Sequence, residues 1–179
     1  PVLSEAIDSV ASYQLRNRAT IVGNICNASP AGDTIGVCIL LGSILTVYGV
    51  DGIHQEPLCT FFTGPGETRL KPGDIAISIN LPPPPNGLVG RYIKLGRNKI
   101  SDLSIVGVCA IGYPDPDTAS GYRFKLALAS VAPVPLVVTH VEEILAAEVT
   151  ELTLKYAAQA AMEACTPIDD VRGSARYRK

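Results

Sequence analysis

The sequence predicts an α+β protein in two parts, and three observations carry that prediction. Helical patterns and a hairpin pattern fill the first half. Three strand patterns followed by two helical ones fill the second. Between them run the consecutive prolines Pro82–Pro85, which neither continue a helix nor pair in a central strand and so form a stiff extended connector. The boundary falls there, giving parts 1–86 and 87–179.

Taken in order, Ser4 is expected to cap a short helix running to about Ala11. The segment from Arg18 to Asp33 reads as a small apolar strand entering Gly23 and Asn24, then polar residues, then a helix start. Asp33 is expected to cap that helix, which carries Ile35, Val37, Cys38, Leu40 and Leu41. Residues Ser43 to Leu58 place β-branched and aromatic side chains either side of Asp51-Gly52, a tight-turn dipeptide, and predict a hairpin. Lys71-Pro72-Gly73 is a further turn, after which Ile75, Ile77 and Ile79 alternate as in a half-buried strand. Beyond the connector, Arg91–Leu95, Ser104–Tyr113 and Tyr122–Val131 predict a three-stranded antiparallel meander. Helices are expected over Val141–Ala147 behind Thr139, and over Glu151–Cys165 behind Thr150, the latter with Leu152, Tyr156 and Ala160 at four-residue steps. These helices cover one face of the sheet and supply the second half with its own apolar faces.

Composition narrows the function. A chain with 47% hydrophobic and 18% charged residues is not a disordered tail, and no apolar run reaches the ~18 residues of a membrane span. The net charge of -2 comes from scattered residues, which argues against nucleic acid and anionic membranes as partners. Cys26, Cys38, Cys59, Cys109 and Cys165 are odd in number and contain no CxxC pair, which fits a reducing cytoplasm better than a disulfide framework or a metal site. His54 and His140 show no ligand spacing and read as surface residues. Asp169-Asp170 reads as a helix start. The opening at Pro1, directly on a helical pattern, reads as a processed product or fragment.

The stretch with the most chemistry is Arg18 to Asp33, RATIVGNICNASPAGD. Gly23 lets an anionic group approach the main chain, Thr20 and Asn24 offer side-chain donors, and successive N–H groups can form an anion nest. On chemistry alone it is either a phosphate cradle or an irregular loop turned by a glycine.

The string ATIVGNICNASPAGD resembles the TIGGN and ASPxxD signature of the FAD-binding subunits of molybdenum hydroxylases, the xanthine dehydrogenase and carbon monoxide dehydrogenase family. Gln14-Leu15-Arg16-Asn17, Phe61 to Thr68 and Asp170 to Arg178 match further family text in the same order. The resemblance implies the second half of a PCMH-type FAD-binding domain followed by a domain like the CO dehydrogenase flavoprotein C-terminal one. It implies a subunit that passes electrons from an iron–sulfur (2Fe-2S) partner, fed by a molybdopterin-binding large subunit, through FAD to an external acceptor such as NAD. By similarity, Thr20, Ile21, Val22, Gly23 and Asn24 hold the FAD pyrophosphate. Ser29 belongs to the same cofactor-binding set, and Asp33 hydrogen-bonds the cofactor on its ribose or adenine side. Val22 stands where the family has a first glycine. Ala76 stands where relatives carry a larger aliphatic residue near the isoalloxazine, and Lys94 matches a lysine near the ring, where a cation favours the anionic reduced form. Asp102 matches a family aspartate and also suits a turn before a strand.

The family's subunits begin with another subdomain bearing an AGGT-like glycine loop, and nothing like it occurs in these residues. The alternative function is an assembly module of the same fold that has lost flavin binding.

Overall fold

The computed structural model describes residues 1–98 and 101–179. Four helices open the chain: α1 (Val2–Ser9), α2 (Tyr13–Arg16), α3 (Ile21–Cys26) and α4 (Asp33–Leu40). Helix α1 starts before Ser4, with Pro1 at its N-cap and no side-chain capping bond. What sets its position is the burial of Val2 and Ala6, one turn apart. The apolar stretch expected as a strand before Gly23 is instead α3. Thr20 caps it by accepting the Gly23 N–H at 2.9 Å, and Ile25 is buried. Helix α4 has Gly32, not Asp33, at its N-cap, and seven of its residues, from Asp33 to Leu40, are buried, as befits a helix with core on more than one side.

The expected hairpin is present: β1 (Ile44–Gly49) pairs antiparallel with β2 (Gly52–Pro57), and Gly49 faces Gly52 across the turn. A short 3₁₀ turn (Leu58–Thr60) and the small ribbon β3 (Phe62–Gly64) and β4 (Glu67–Thr68) follow. Strand β5 (Ile75–Asn80) joins β1 on its other edge, in the order β2-β1-β5. The alternation expected of Ile75, Ile77 and Ile79 is broken by a register shift between Thr46 and Val47. Ala76 and Ile79 therefore pack inward, while Ile75 and Ile77 stay 63% and 53% exposed. Leu45, Val47, Leu58 and Phe61 meet Ile25, Ile35 and Cys38 in the first core.

Beyond the connector, β6 (Val89–Leu95), β7 (Val106–Pro114) and β8 (Tyr122–Ala129) form the expected meander, extended by a short fourth strand, β9 (Leu136–Val137). Helices α5 (Thr139–Ala146) and α6 (Glu151–Ala164) cover one face, where Val141, Leu145 and Ala157 meet Val106, Val108, Leu126 and Leu128. The inward stripe of α6 is one of small residues, Ala157 and Ala161; Leu152 and Tyr156 are exposed. The other face is not free. Tyr92, Cys109, Ile111 and Ala127 pack on Val2 and Ala6 of α1 and Val37 and Leu40 of α4, so the two halves share a core.

At the C-terminus α7 (Ala175–Arg178) starts behind Ser174, and Asp169 Oδ1 accepts the Ala175 N–H at 2.5 Å. Arg178 is buried and staples the end of the chain: Nη1 donates to the carbonyls of Ile105 (2.9 Å) and Ser130 (2.8 Å), and Nη2 to Asp170 (2.6 Å). Among the described residues no helix is long and apolar enough to cross a membrane.

Candidate functional site

The site is assembled where the starts of α3 and α4 meet the end of α1 and strand β6. Arg16, the last residue of α2, reaches back and donates to the carbonyls of Val10 (2.7 Å) and Ala11 (3.0 Å). This holds the turn after α1, where Ala11 takes the left-handed conformation at φ 42°. The next turn of chain delivers Thr20 to the cap of α3. A Cβ added at Gly23 would lie 2.9 Å from Thr20 Oγ1, so a larger residue there would disturb the cap.

The N–H groups of Ile21 and Val22, at the first two helical positions, make no hydrogen bond among the described residues. Asn24 Oδ1 accepts from Thr34 Oγ1 at 2.8 Å, which ties α3 to α4. The amide Nδ2 of Asn24 has no partner among the described residues. Thr20, Ile21, Asn24 and Thr34 line a small cavity of about 80 Å³ with Val10 and Arg16. Ile21 and Asn24 line this cavity and Val22 follows Ile21 on the same helix start, so unpaired main-chain donors and a side-chain amide lie at one helix N-terminus, a set suited to an anion such as phosphate.

One residue on from the N-cap of α4, Asp33 turns its carboxylate into the shared core, and each oxygen has a donor. Tyr92 Oη donates to Oδ1 at 2.6 Å and Lys94 Nζ to Oδ2 at 2.9 Å. Lys94 also donates to the Ser9 carbonyl at 2.8 Å. Burial pushes the Asp33 carboxyl up from its ordinary range, and the hydrogen bonds from Tyr92 and Lys94 with the lysine charge pull it back. Burial, reinforced by the neighbouring Asp33 charge, raises the Tyr92 phenol far above its ordinary value, so Tyr92 remains a donor. A polar cleft of about 600 Å³ opens beside Lys94, lined by Ser9, Arg97, Asn98, Ser101 and Asp102. Asp102 is the turn residue there: it accepts the Arg97 and Leu103 N–H groups and pairs with the Arg97 guanidinium, which together hold its carboxyl down at about 2.

Of the residues singled out in the sequence, Thr20, Ile21, Val22, Gly23 and Asn24 lie together at the start of α3, and the Asn24–Thr34 bond ties them to α4, whose Asp33 pairs with Lys94. Ala76 sits half-buried on β5 against the core that also receives Ile21 and Val22. Ser29 is elsewhere: its hydroxyl accepts the Ala31 N–H at 3.2 Å, and it lines a cavity with Arg172 and Arg178. Sequence reasoning missed Tyr92, Thr34 and Ser9. For Tyr92 a signal existed, since it lies two residues before Lys94 on a strand and so on the same face; for Ser9 and Thr34 none did.

Residues 1–84 match the FAD binding domain in molybdopterin dehydrogenase, and residues 91–179 the CO dehydrogenase flavoprotein C-terminal domain. The chain is 28% identical over 180 residues to the xanthine dehydrogenase FAD-binding subunit of Escherichia coli O157:H7, an alignment covering 99% of this chain and 61% of the relative. It is 31% identical to the carbon monoxide dehydrogenase medium chain of Hydrogenophaga pseudoflava, again over 99% of this chain and 61% of that one. Among solved structures, the carbon monoxide dehydrogenase of Hydrogenophaga pseudoflava that lacks the Mo-pyranopterin moiety superposes with a TM-score of 0.92 at 30% identity, covering 99% of this chain and 61% of that chain. The chain thus spans about three fifths of the length of the curated relatives it matches, at 61%.

Proposed function

Because the chain belongs to the family of FAD-binding domains in molybdopterin dehydrogenases, continued by the CO dehydrogenase flavoprotein C-terminal domain, we propose that it seats FAD in an electron-transferring subunit of an oxidoreductase. The observation that carries this reading is that the donor stretch Thr20 to Asn24 is tied to α4 by the Asn24–Thr34 bond, one residue along from the Asp33 that pairs with Lys94.

The residues present fit the cofactor. The N–H groups of Ile21 and Val22 and the Asn24 amide would hold its pyrophosphate, Thr20 keeps those donors in place by capping α3, and Gly23 leaves the cap undisturbed. Lys94 would present a positive charge to the cofactor, with Asp33 fixing where that charge sits. When bound, FAD supplies the one- and two-electron chemistry that a relay between unlike redox partners requires. On this reading the electrons would come from a 2Fe-2S partner served by a molybdopterin-binding large subunit and would leave to an acceptor such as NAD. The sequence likeness to subunits of xanthine and carbon monoxide dehydrogenases supports that assignment.

The test is spectroscopic. Purified full-length protein is expected to show the absorbance bands of bound FAD; colourless protein that stays so after incubation with excess FAD overturns the reading.

A further inference from the structure

We propose that Tyr92 is a positioning residue for Lys94, acting through Asp33; its purpose rests on the flavin reading above, its geometry does not. Tyr92 and Lys94 lie two residues apart on β6, so the strand delivers both donors to one carboxylate, the phenol to Oδ1 and the ammonium to Oδ2. A carboxylate held at both oxygens cannot turn. Its Oδ2 and the Ser9 carbonyl are the two acceptors of the Lys94 ammonium among the described residues, and Lys94 lines the polar cleft.

The fold makes room for the phenol at one particular place. Gly107 lies opposite Lys94 on β7, and a Cβ there would come within 2.6 Å of Tyr92 Oη and 3.1 Å of Ala129 Cβ. Without the phenol O–H, Oδ1 would be a buried acceptor with no side-chain donor among the described residues, and the carboxylate would swing to share Lys94 between both oxygens, drawing the ammonium out of its seat.

The experiment uses full-length protein carrying Tyr92→Phe, which keeps the ring and removes only the hydroxyl. Each protein is pulse-labelled with acetic anhydride, and Lys94 modification is read by mass spectrometry against Lys125 and Lys155. Labelling of Lys94 is expected to change by about threefold or more, the equivalent of one net hydrogen bond, with the reference lysines unmoved. FAD affinity, read by titration, is expected to weaken by a similar factor. Gly107→Ala, which keeps the hydroxyl but displaces it, is expected to give the same change and serves if Tyr92→Phe does not fold. Unchanged Lys94 labelling in a folded variant overturns the proposal whatever the flavin does. If labelling changes while neither wild type nor variant takes up FAD, the positioning role stands and the flavin reading falls.

Discussion

Asp33 carries its charge where burial works against it, and Lys94 is the cation that makes this tolerable; their side chains are 6% and 11% exposed. Lys94→Met is therefore expected to cost about 3 kcal/mol at neutral pH, because among the described residues it leaves a buried carboxylate with the phenol as its remaining side-chain donor. The pH dependence has a definite sign. The Asp33 carboxyl is already raised in the folded state, so the unfolded chain gives up its proton first, near the ordinary value of 3.8, and stability falls as pH rises from there through the folded value. Lys94→Met raises the folded value further, so its deficit against wild type should grow with pH. Urea unfolding at several pH values reads this, and a deficit independent of pH would show that Asp33 is not the charge at stake. At the other end of the site, Asn24→Ala removes a donor to the proposed phosphate and should weaken FAD about tenfold, or 1.4 kcal/mol.

At the scale of elements, the starts of α5 and α6 make a contrast that unfolding experiments can read. Thr150 and Thr153 form a reciprocal capping box at α6, whereas no side chain caps α5, whose first residue is Thr139. Thr150→Ala is expected to cost about 1 kcal/mol. Thr139→Ala should stay within about 0.5 kcal/mol, and equal losses at the two positions would contradict the capping geometry. These elements also show what was legible in the sequence. The hairpin, the meander and α6 were, because turn chemistry, period-two alternation and a cap are local properties. Helix α3 was not: Ala19 to Val22 is a short run with three β-branched residues, and the cap bond from the Gly23 N–H to Thr20 decides its state. The bulge beside Val47 left no mark on the alternation of isoleucines, so the inward turn of Ala76 was hidden. In the site, the donor stretch could be read from residue types, but the link of Asp33 to Lys94 spans 61 positions and exists only once α4 meets β6.

At the scale of the molecule, α4 belongs to two cores at once. Val37 and Leu40 face the sheet of the second half, while Ile35 and Cys38 face the sheet of the first. Ile111, at 2% exposure in the shared core, is a probe of this arrangement: Ile111→Ala should cost about 2–5 kcal/mol and lower one common unfolding transition. If the first half keeps its own unchanged midpoint while the second falls, the shared core does not couple them. The prolines from Pro82 to Pro85 divide the sequence, but the weight of the structure is carried across that division by α1 and α4. A protease that nicks the chain there would thus sever a tether and not an assembly. The pieces 1–86 and 87–179 should remain a noncovalent heterodimer through a gel-filtration column, each completing the other's interior, with Lys94 from one piece still reaching Asp33 in the other.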